Sequence, residues 1–306
     1  MVQGQKAGER IAIIGSGGIG GYLASQLHAA GHDITLCVRT PFDKLVITEA
    51  DGGSETTVPV RIATDPAAEK PAKWILVTTK AQDVPSAAAW LEKLAGPDSV
   101  VVVTQNGIEH EERVRPFLPA ETQVLPAIMI CAVERLAPGH ILHHGHAKIS
   151  VPQGPVGDDF AELFAGSAFE INGEDDFRTV AWGKLLTNAM ANPVTALTVR
   201  RGAVFSDSQV AELARSIGRE VVAVAKAAGA KLSDSDIEGP LARNAKSPNS
   251  GSSMLYDRLA GRPLEYAFIT GAVVEAAERH GIDVPVNRTI LALLKGASGY
   301  SLDGAN

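Results

Sequence analysis

A glycine-rich turn near the start of the chain constrains the fold more than any other feature. The segment GSGGIG (15–20) follows the apolar run RIAIIG (10–15) and opens a helical pattern, GGYLASQLHAAGH (20–32). In the pattern G-x-G-x-x-G, glycines allow a tight turn, close approach of the backbone to a pyrophosphate, and close packing of helix on strand. The helix N-terminus supplies free N–H groups for the phosphates. A dinucleotide site is therefore predicted, the alternative being a tight turn that binds no ligand; its residues are Gly15, Ser16, Gly17, Gly18, Ile19 and Gly20.

Further apolar runs predict the sheet that carries this turn. Short runs rich in Val, Ile and Leu follow at residues 33–39, 74–80 and 99–106. A helical segment (84–96) separates the last two. Because continuous apolar runs are typical of strands buried on both faces, they predict a Rossmann-type, doubly wound parallel sheet. Residues 124–133 and 140–152 are expected to be later strands, antiparallel ones at the edge of this sheet.

The second half of the chain has a different pattern. From about Asp175 the sequence is helical, and 306 residues are enough for two domains at about 150 residues each. We therefore expect a Rossmann domain over residues 1–173, followed by an all-helical domain over 174–306.

Capping signals predict where the later helices begin. Ser206 and Gln209 have capping-box spacing, so a helix is expected to start there. The turn GRP (261–263) is expected to end one helix and restart another, which Glu265 opens. Pro285 is expected to start the last helix.

Charge and composition exclude several classes of partner. The formal net charge is −7 without a basic block, which argues against nucleic acid and anionic membranes. No segment reaches about 18 uninterrupted apolar residues and the start MVQGQKAGER is too polar for a signal peptide, so a cytoplasmic protein is predicted. Cys37 and Cys131 have neither metal-ligand spacing nor the number needed for a disulfide framework.

Four histidines in GHILHHGHAKI (139–149) raise the question of a metal site. In an extended strand His144 and His146 share one face, while His143 points to the other. No carboxylate or thiol completes a ligand set within this segment. A polar edge strand without a metal is therefore predicted, with His140 at its start.

The end of the second apolar run distinguishes between dinucleotides. An Asp or Glu there usually binds the ribose 2′-hydroxyl of NAD. Here Asp33 lies at the wrong end of the run, Asp43 lies beyond Pro41, and Arg39 stands where a guanidinium can pair with a 2′-phosphate. This favours NADPH, whereas a solvated loop arginine is the alternative.

A polar stripe interrupts the apolar helical segment WGKLLTNAMANPVTALT (182–198). Lys184, Asn188 and Asn192 are spaced by four residues and therefore share one face of a helix. Pro193 cannot donate a helical hydrogen bond, so a local kink is expected near Asn192. The stripe is either a substrate-binding face or a solvated face with a lysine that reaches water.

Taken together, these motifs resemble those of the ketopantoate reductases (2-dehydropantoate 2-reductases). Besides the glycine loop and the arginine after the second strand, the matching segments are VTTKAQDV (77–84), QNGIE (105–109), residues 182–198, SSM (252–254) and HGIDVPVN (280–287). The resemblance covers nearly the whole chain. It implies a Rossmann domain and a helical domain, with NADPH bound between them, that reduce ketopantoate to pantoate.

The resemblance also implies roles for individual residues. Lys184 would be the general acid for the ketone oxygen, and Glu265 would orient the lysine and the reacting oxygen. Asn188 and Asn192 would bind the substrate hydroxyl. Ser253, twelve residues before Glu265, would hold the substrate carboxylate. At the sheet edge, Asn106 would lie beside nicotinamide and substrate, and Lys80 would contact cofactor phosphate or ribose.

The sequence departs from the family pattern just after Glu265. Ala267 stands where the family usually has an acidic residue, Thr270 replaces an amide, and Tyr266 is bulkier than the usual aliphatic residue. Two alternatives therefore stay open: a paralogous reductase of another small keto acid, and a non-catalytic NADP(H)-binding sensor. Apolar helical runs such as residues 272–282 could face a core or the second subunit of a homodimer.

Overall fold

Parallel strands build the sheet that carries the glycine-rich turn. The computed structural model describes residues 9–50 and 53–298. In chain order the strands are β1 (Arg10–Ile14), β2 (Asp33–Cys37), β3 (Leu45–Glu49), β4 (Glu55–Val58), β5 (Arg61–Ala63), β6 (Trp74–Val77), β7 (Val100–Val103), β8 (Gln123–Pro126), β9 (Ile128–Ala137), β10 (His140–Pro152) and β11 (Glu170–Glu174). One sheet has the order β5-β2-β1-β6-β7-β8, and all its neighbouring pairs are parallel.

Both faces of this sheet are covered. The helices of this part of the chain are α1 (Gly18–Ala29), α2 (Ala88–Leu94), α3 (His110–Val114) and α4 (Pro155–Glu162). Because successive side chains of a strand point to opposite faces, β1 contributes to two cores. Ile13 packs in one core with Leu23 of α1, and Ile14 packs in the other with Leu91 of α2.

A second sheet was not predicted. It has the order β11-β10-β3-β4, and β9 pairs antiparallel with β10. The expectation that residues 124–133 and 140–152 form antiparallel strands at the edge of the first sheet is therefore wrong. Only β8 joins that sheet, as a parallel strand, while β9 and β10 belong to the second sheet. The alternation of a strand indicates which face is buried, but not which strand it will pair with.

The last part of the chain is helical. Its helices are α5 (Phe177–Thr198), α6 (Ser208–Ala227), α7 (Ser235–Lys246), α8 (Ser253–Leu259), α9 (Thr270–His280) and α10 (Pro285–Ala297). Leu186 and Met190 of α5 lie in a core with Ile217 of α6 and Val273 of α9. The polar stripe therefore lies on a helix whose other faces are packed.

Two of the predicted helix starts are wrong. Asp207, not Ser206, caps α6, because its Oδ1 accepts hydrogen bonds from the N–H groups of Gln209 (2.8 Å) and Val210 (3.2 Å). After the GRP turn the chain forms a 3-10 turn at Tyr266–Phe268, and α9 begins only at Thr270. The start of α10 at Pro285 is as predicted.

The chain divides into two units. The first comprises Met1–Gln105 and Glu109–Phe177, and the second comprises Asn106–Ile108 and Arg178–Asn306. The predicted boundary, between residues 173 and 174, lies at the end of β11, whose pairing with β10 holds it in the first unit. Among the described residues, no helix is both long and apolar enough to span a membrane.

Candidate active site

The geometry of the glycine-rich turn explains its glycines. Gly15 follows β1 with a φ of +107°, a left-handed conformation that side chains disfavour. A Cβ at Gly20 would overlap the carbonyl oxygen of Gly15, so α1 can approach the turn this closely only with glycine there. A Cβ at Gly17 would meet nothing within 4 Å, so the backbone at the N-cap of α1 is open to a ligand. These properties fit a pyrophosphate at the helix N-terminus.

Thr78 was not singled out by the sequence analysis, yet it holds this turn in place. Its hydroxyl donates to the carbonyl oxygens of Ile14 (3.1 Å) and Gly15 (2.8 Å). Its position could have indicated this role, because Thr78 directly follows β6, which pairs with β1.

The predicted cofactor residues of the first unit follow strands of the parallel sheet. Arg39 is exposed and lies two residues after β2, and Lys80 is partly exposed and lies three residues after β6. Because β1, β2 and β6 are parallel, their carboxyl ends share one edge of the sheet with the glycine turn. This is the edge at which open α/β sheets bind ligands.

Gln105 is a second residue whose role is not evident from its sequence position. Its buried side-chain Nε2 donates to the carbonyl oxygens of Thr79 (2.9 Å) and Lys80 (3.2 Å). Its Oε1 accepts from Nη1 of Arg113 (3.0 Å). The amide therefore fixes the backbone that carries Lys80.

In the second unit, helix α5 presents Lys184, Asn188 and Asn192. The helix places them on one face by their spacing of four residues. Burial of the Lys184 ammonium lowers its pKa, and the positive charge of Arg243 lowers this pKa further. Both effects favour the neutral amine, which brings a lysine closer to the range in which it can exchange a proton with a substrate.

A chain of hydrogen bonds joins three of the predicted site residues. Nδ2 of Asn188 donates to Oδ1 of Asn106 (3.1 Å), and Nδ2 of Asn106 donates to Oε2 of Glu265 (3.0 Å). Asn188 is 9% exposed and Glu265 is 3% exposed. The structure therefore brings together a residue after β7, a residue of α5 and a residue after the GRP turn.

Asn192 has an unsatisfied donor. The residue is 4% exposed, and in the described part of the chain its Nδ2 has no hydrogen-bond partner. Leaving a buried donor unpaired costs about 1–3 kcal/mol, so such a group fits an acceptor supplied by a ligand. This supports a binding role for Asn192.

Ser253 is not hydrogen-bonded into that chain. It is the exposed first residue of α8, and Ser252 is the N-cap, whose hydroxyl accepts from the N–H of Leu255 (3.1 Å). Of the departures from the family pattern, Thr270 is fully buried, and its hydroxyl has no partner among the described residues.

The prediction of an edge strand for the histidines is wrong, because β10 pairs with β3, β9 and β11, and two of its histidines contact carboxylates of neighbouring strands. Nδ1 of His143 lies 2.6 Å from Oε2 of Glu49, and the ring stacks on Tyr22. Nε2 of His144 lies 3.7 Å from Oε2 of Glu134. The described residues contain no group of three or more His, Cys, Asp or Glu side chains that could hold a metal ion.

Comparison with known proteins assigns the chain to a family. The model of the family "Ketopantoate reductase PanE/ApbA" matches residues 11–155, and the model of its C-terminal part matches residues 176–298. The chain belongs to the ketopantoate reductase family. This confirms the predicted family, and the parallel sheet followed by helices confirms the predicted fold class.

Relatives in this family match over almost their whole length. The chain is 40% identical to the 2-dehydropantoate 2-reductase of Caulobacter vibrioides, over 94% of this chain and 99% of the relative. It is 37% identical to that of Mycobacterium tuberculosis, over 94% and 97%. The crystal structure of a PanE/ApbA family ketopantoate reductase from Ralstonia eutropha has a TM-score of 0.86 and 30% identity, with 94% of this chain and 98% of that one covered.

Proposed function

We propose that this protein is an NADPH-dependent 2-dehydropantoate 2-reductase, which reduces the C2 ketone of ketopantoate to the hydroxyl group of pantoate in pantothenate and coenzyme A biosynthesis. The observation that carries the proposal is the arrangement on α5. A half-buried lysine with a lowered pKa shares a helix face with Asn188, which is linked through Asn106 to Glu265.

The first unit fits the dinucleotide. NADPH, when bound, supplies the hydride that reduces the ketone. Gly15, Gly17 and Gly20 make the turn that the pyrophosphate approaches. Arg39 would pair with the 2′-phosphate that distinguishes NADPH from NADH, and Lys80 would contact phosphate or ribose.

The second unit supplies the groups that act on the keto acid. As negative charge develops on the ketone oxygen, Lys184 would donate a proton to it. Glu265, held by the amide of Asn106, would orient the lysine and this oxygen. Asn188 and Asn192 would bind the substrate hydroxyl, and Ser253 would bind the carboxylate.

The surroundings of Glu265 support a second candidate within the same class. Ala267 lacks the carboxylate usual in the family, and the buried hydroxyl of Thr270 has no partner within the described residues. A paralogous reductase of another small keto acid would differ at such positions. A non-catalytic NADP(H) sensor is disfavoured because Lys184 and Glu265 are both present.

Three further proposals concern the protein as a whole. The first unit would bind the cofactor and the second the substrate. The apolar run 272–282 packs in the core of the second unit, so a homodimer would instead cover exposed apolar side chains of that unit such as Leu259 and Leu293. The protein would be cytoplasmic.

The experiment that tests the function follows NADPH absorbance with purified protein and a panel of 2-keto acids, with NADH as the cofactor control. We expect rapid oxidation of NADPH with ketopantoate and slow oxidation with the others. Turnover of a different keto acid alone would transfer the proposal to the paralogous reductase. Tight binding of NADPH without turnover of any keto acid would refute the reductase and favour the sensor.

A further inference from the structure

A hydrogen bond between two hydroxyl groups links α5 to the segment before Ser253. Oγ1 of Thr195 lies 2.7 Å from Oγ of Ser252. Thr195 is 2% exposed and lies on α5 three residues after Asn192. The bond therefore connects α5, close to Asn192, to the residue directly before Ser253.

The direction of the hydrogen bonds follows from their partners. Oγ1 of Thr195 also lies 2.9 Å from the carbonyl oxygen of Ala191 and 3.2 Å from that of Asn192. Because carbonyl oxygens only accept, Thr195 shares its single hydroxyl hydrogen between them, and Ser252 donates to Thr195. Ser252 in turn accepts from the N–H of Leu255. All the contacts are satisfied at once in this arrangement.

Pro193 removes one backbone hydrogen bond from α5 close to the place where this link attaches. Pro193 has no N–H to donate to the carbonyl oxygen of Ala189, so the regular ladder of α5 lacks a bond next to Asn192. The bond from Thr195 to the carbonyl group of Asn192 lies directly beside this missing bond. We therefore expect the orientation of Asn192 to depend on the hydroxyl of Thr195.

Other contacts hold the loop between α7 and α8 (residues 247–252) independently of this link. Nη1 of Arg201 donates to the carbonyl oxygen of Asn249 (2.8 Å), and the N–H of Gly202 donates to that of Ser250 (2.9 Å). The N–H of Gly251 donates to the hydroxyl of Tyr256 (3.3 Å). Loss of the link between Thr195 and Ser252 would therefore shift the last residues of the loop rather than release the whole loop.

We propose that Thr195 and Ser252 are positioning residues whose hydrogen bond sets the separation between Asn192 and Ser253, and with it the length of the 2-keto acid that is accepted. This inference rests on the proposed function. In ketopantoate the carboxylate and the hydroxyl are at opposite ends of the carbon chain. If Asn192 binds the hydroxyl and Ser253 binds the carboxylate, the distance between these two residues limits the length of the keto acid that fits.

The test compares two threonines of the same helix. Thr195→Val removes the hydroxyl with little change in shape. Thr198→Val is the matched control, because the Thr198 hydroxyl donates to the carbonyl oxygen of Val194 (2.6 Å) one turn further along. For each variant we would measure KM and kcat/KM for ketopantoate, KM for NADPH, and kcat/KM for 2-oxoisovalerate, a shorter 2-keto acid without the hydroxyl.

We expect Thr195→Val to raise KM for ketopantoate at least tenfold and to leave KM for NADPH unchanged. Its preference for ketopantoate over 2-oxoisovalerate should fall by a similar factor. Thr195→Ser keeps the hydroxyl and should restore the preference, and Thr198→Val should match the wild type. Ser252→Gly, which keeps a backbone suited to an N-cap, should reproduce the effect of Thr195→Val and serves if that variant does not fold.

Two results would overturn the inference. If both Thr195→Val and Ser252→Gly keep the wild-type KM and preference, the bond positions nothing. If they lower the melting temperature and all kinetic constants alike, the bond is structural only. The wild type is assayed first: its failure to reduce ketopantoate would refute the proposed function, and the inference with it, whereas an active wild type with unaffected variants refutes the inference alone.

Discussion

Removing the Asn106 side chain should disable the candidate active site without unfolding the protein. The Asn106→Ala variant loses an amide–amide hydrogen bond to Asn188 and an amide–carboxylate bond to Glu265. A neutral bond contributes about 1 kcal/mol and a bond to a charged group about 1.5–3 kcal/mol, which together give about 2.5–4 kcal/mol. If the chain of bonds serves to hold Glu265 for the reaction, kcat/KM should fall by roughly 10²–10³-fold.

Steady-state kinetics with ketopantoate, combined with a double-mutant cycle, measures this effect. Glu265→Ala alone and together with Asn106→Ala should show a coupling of about 1–2 kcal/mol, because each variant already breaks the bond that the other removes. Asn249→Ala is the control, since this exposed residue uses its backbone carbonyl group in its hydrogen bond with Arg201. Additive effects in the cycle would refute the idea that Asn106 acts through Glu265.

Three further predictions concern the lysine, the cofactor and the stability of the second unit. Burial lowers the pKa of Lys184 in the folded state, so between this lowered pKa and the unfolded value of about 10.5 the folded protein binds fewer protons at this residue than the unfolded chain does. Lys184→Met should abolish turnover and leave NADPH affinity nearly unchanged. It should also raise the free energy of unfolding at pH 7, measured in urea, and this gain over the wild type should shrink as pH rises toward about 10. A stability gain that did not change with pH would contradict a lowered pKa of Lys184. Arg39→Ala should weaken NADPH binding by about 1–3 kcal/mol and hardly affect NADH in a fluorescence titration, whereas equal losses would exclude a 2′-phosphate contact. The Glu220 carboxylate accepts from the N–H groups of Val286 (2.9 Å) and Asn287 (2.8 Å) and from Nδ2 of Asn287 (2.7 Å) at the start of α10. Asn287 is 0% exposed, and its Nδ2 also donates to the carbonyl oxygen of Ile217 (3.3 Å). Glu220→Ala therefore leaves the buried backbone N–H of Asn287 and one of the two hydrogens on its Nδ2 unpaired, and should lower the free energy of unfolding by about 2–4 kcal/mol. This is far more than the loss expected for Glu238→Ala at the exposed pair with Arg215, and similar losses in both variants would contradict this reasoning.

The sequence by itself determined the features that depend on local chain geometry. The turn at Gly15–Gly20 can be predicted from the sequence because a strand, three glycines and a helix must follow one another within a few residues. The spacing of Lys184, Asn188 and Asn192 places them on one face of a helix whatever surrounds that helix. The parallel sheet can be predicted from the sequence because strands buried on both faces are apolar at nearly every position.

Tertiary structure decided what depends on partners distant in the chain. The bonds from Asn106 to Asn188 and Glu265 span 82 and 159 residues, and that from Thr195 to Ser252 spans 57. The second sheet was missed for the same reason, because alternation does not identify a pairing partner. Whether a buried polar side chain is paired depends on the folded neighbours that reach it, and those neighbours are set by packing of the whole unit rather than by the residue's own segment.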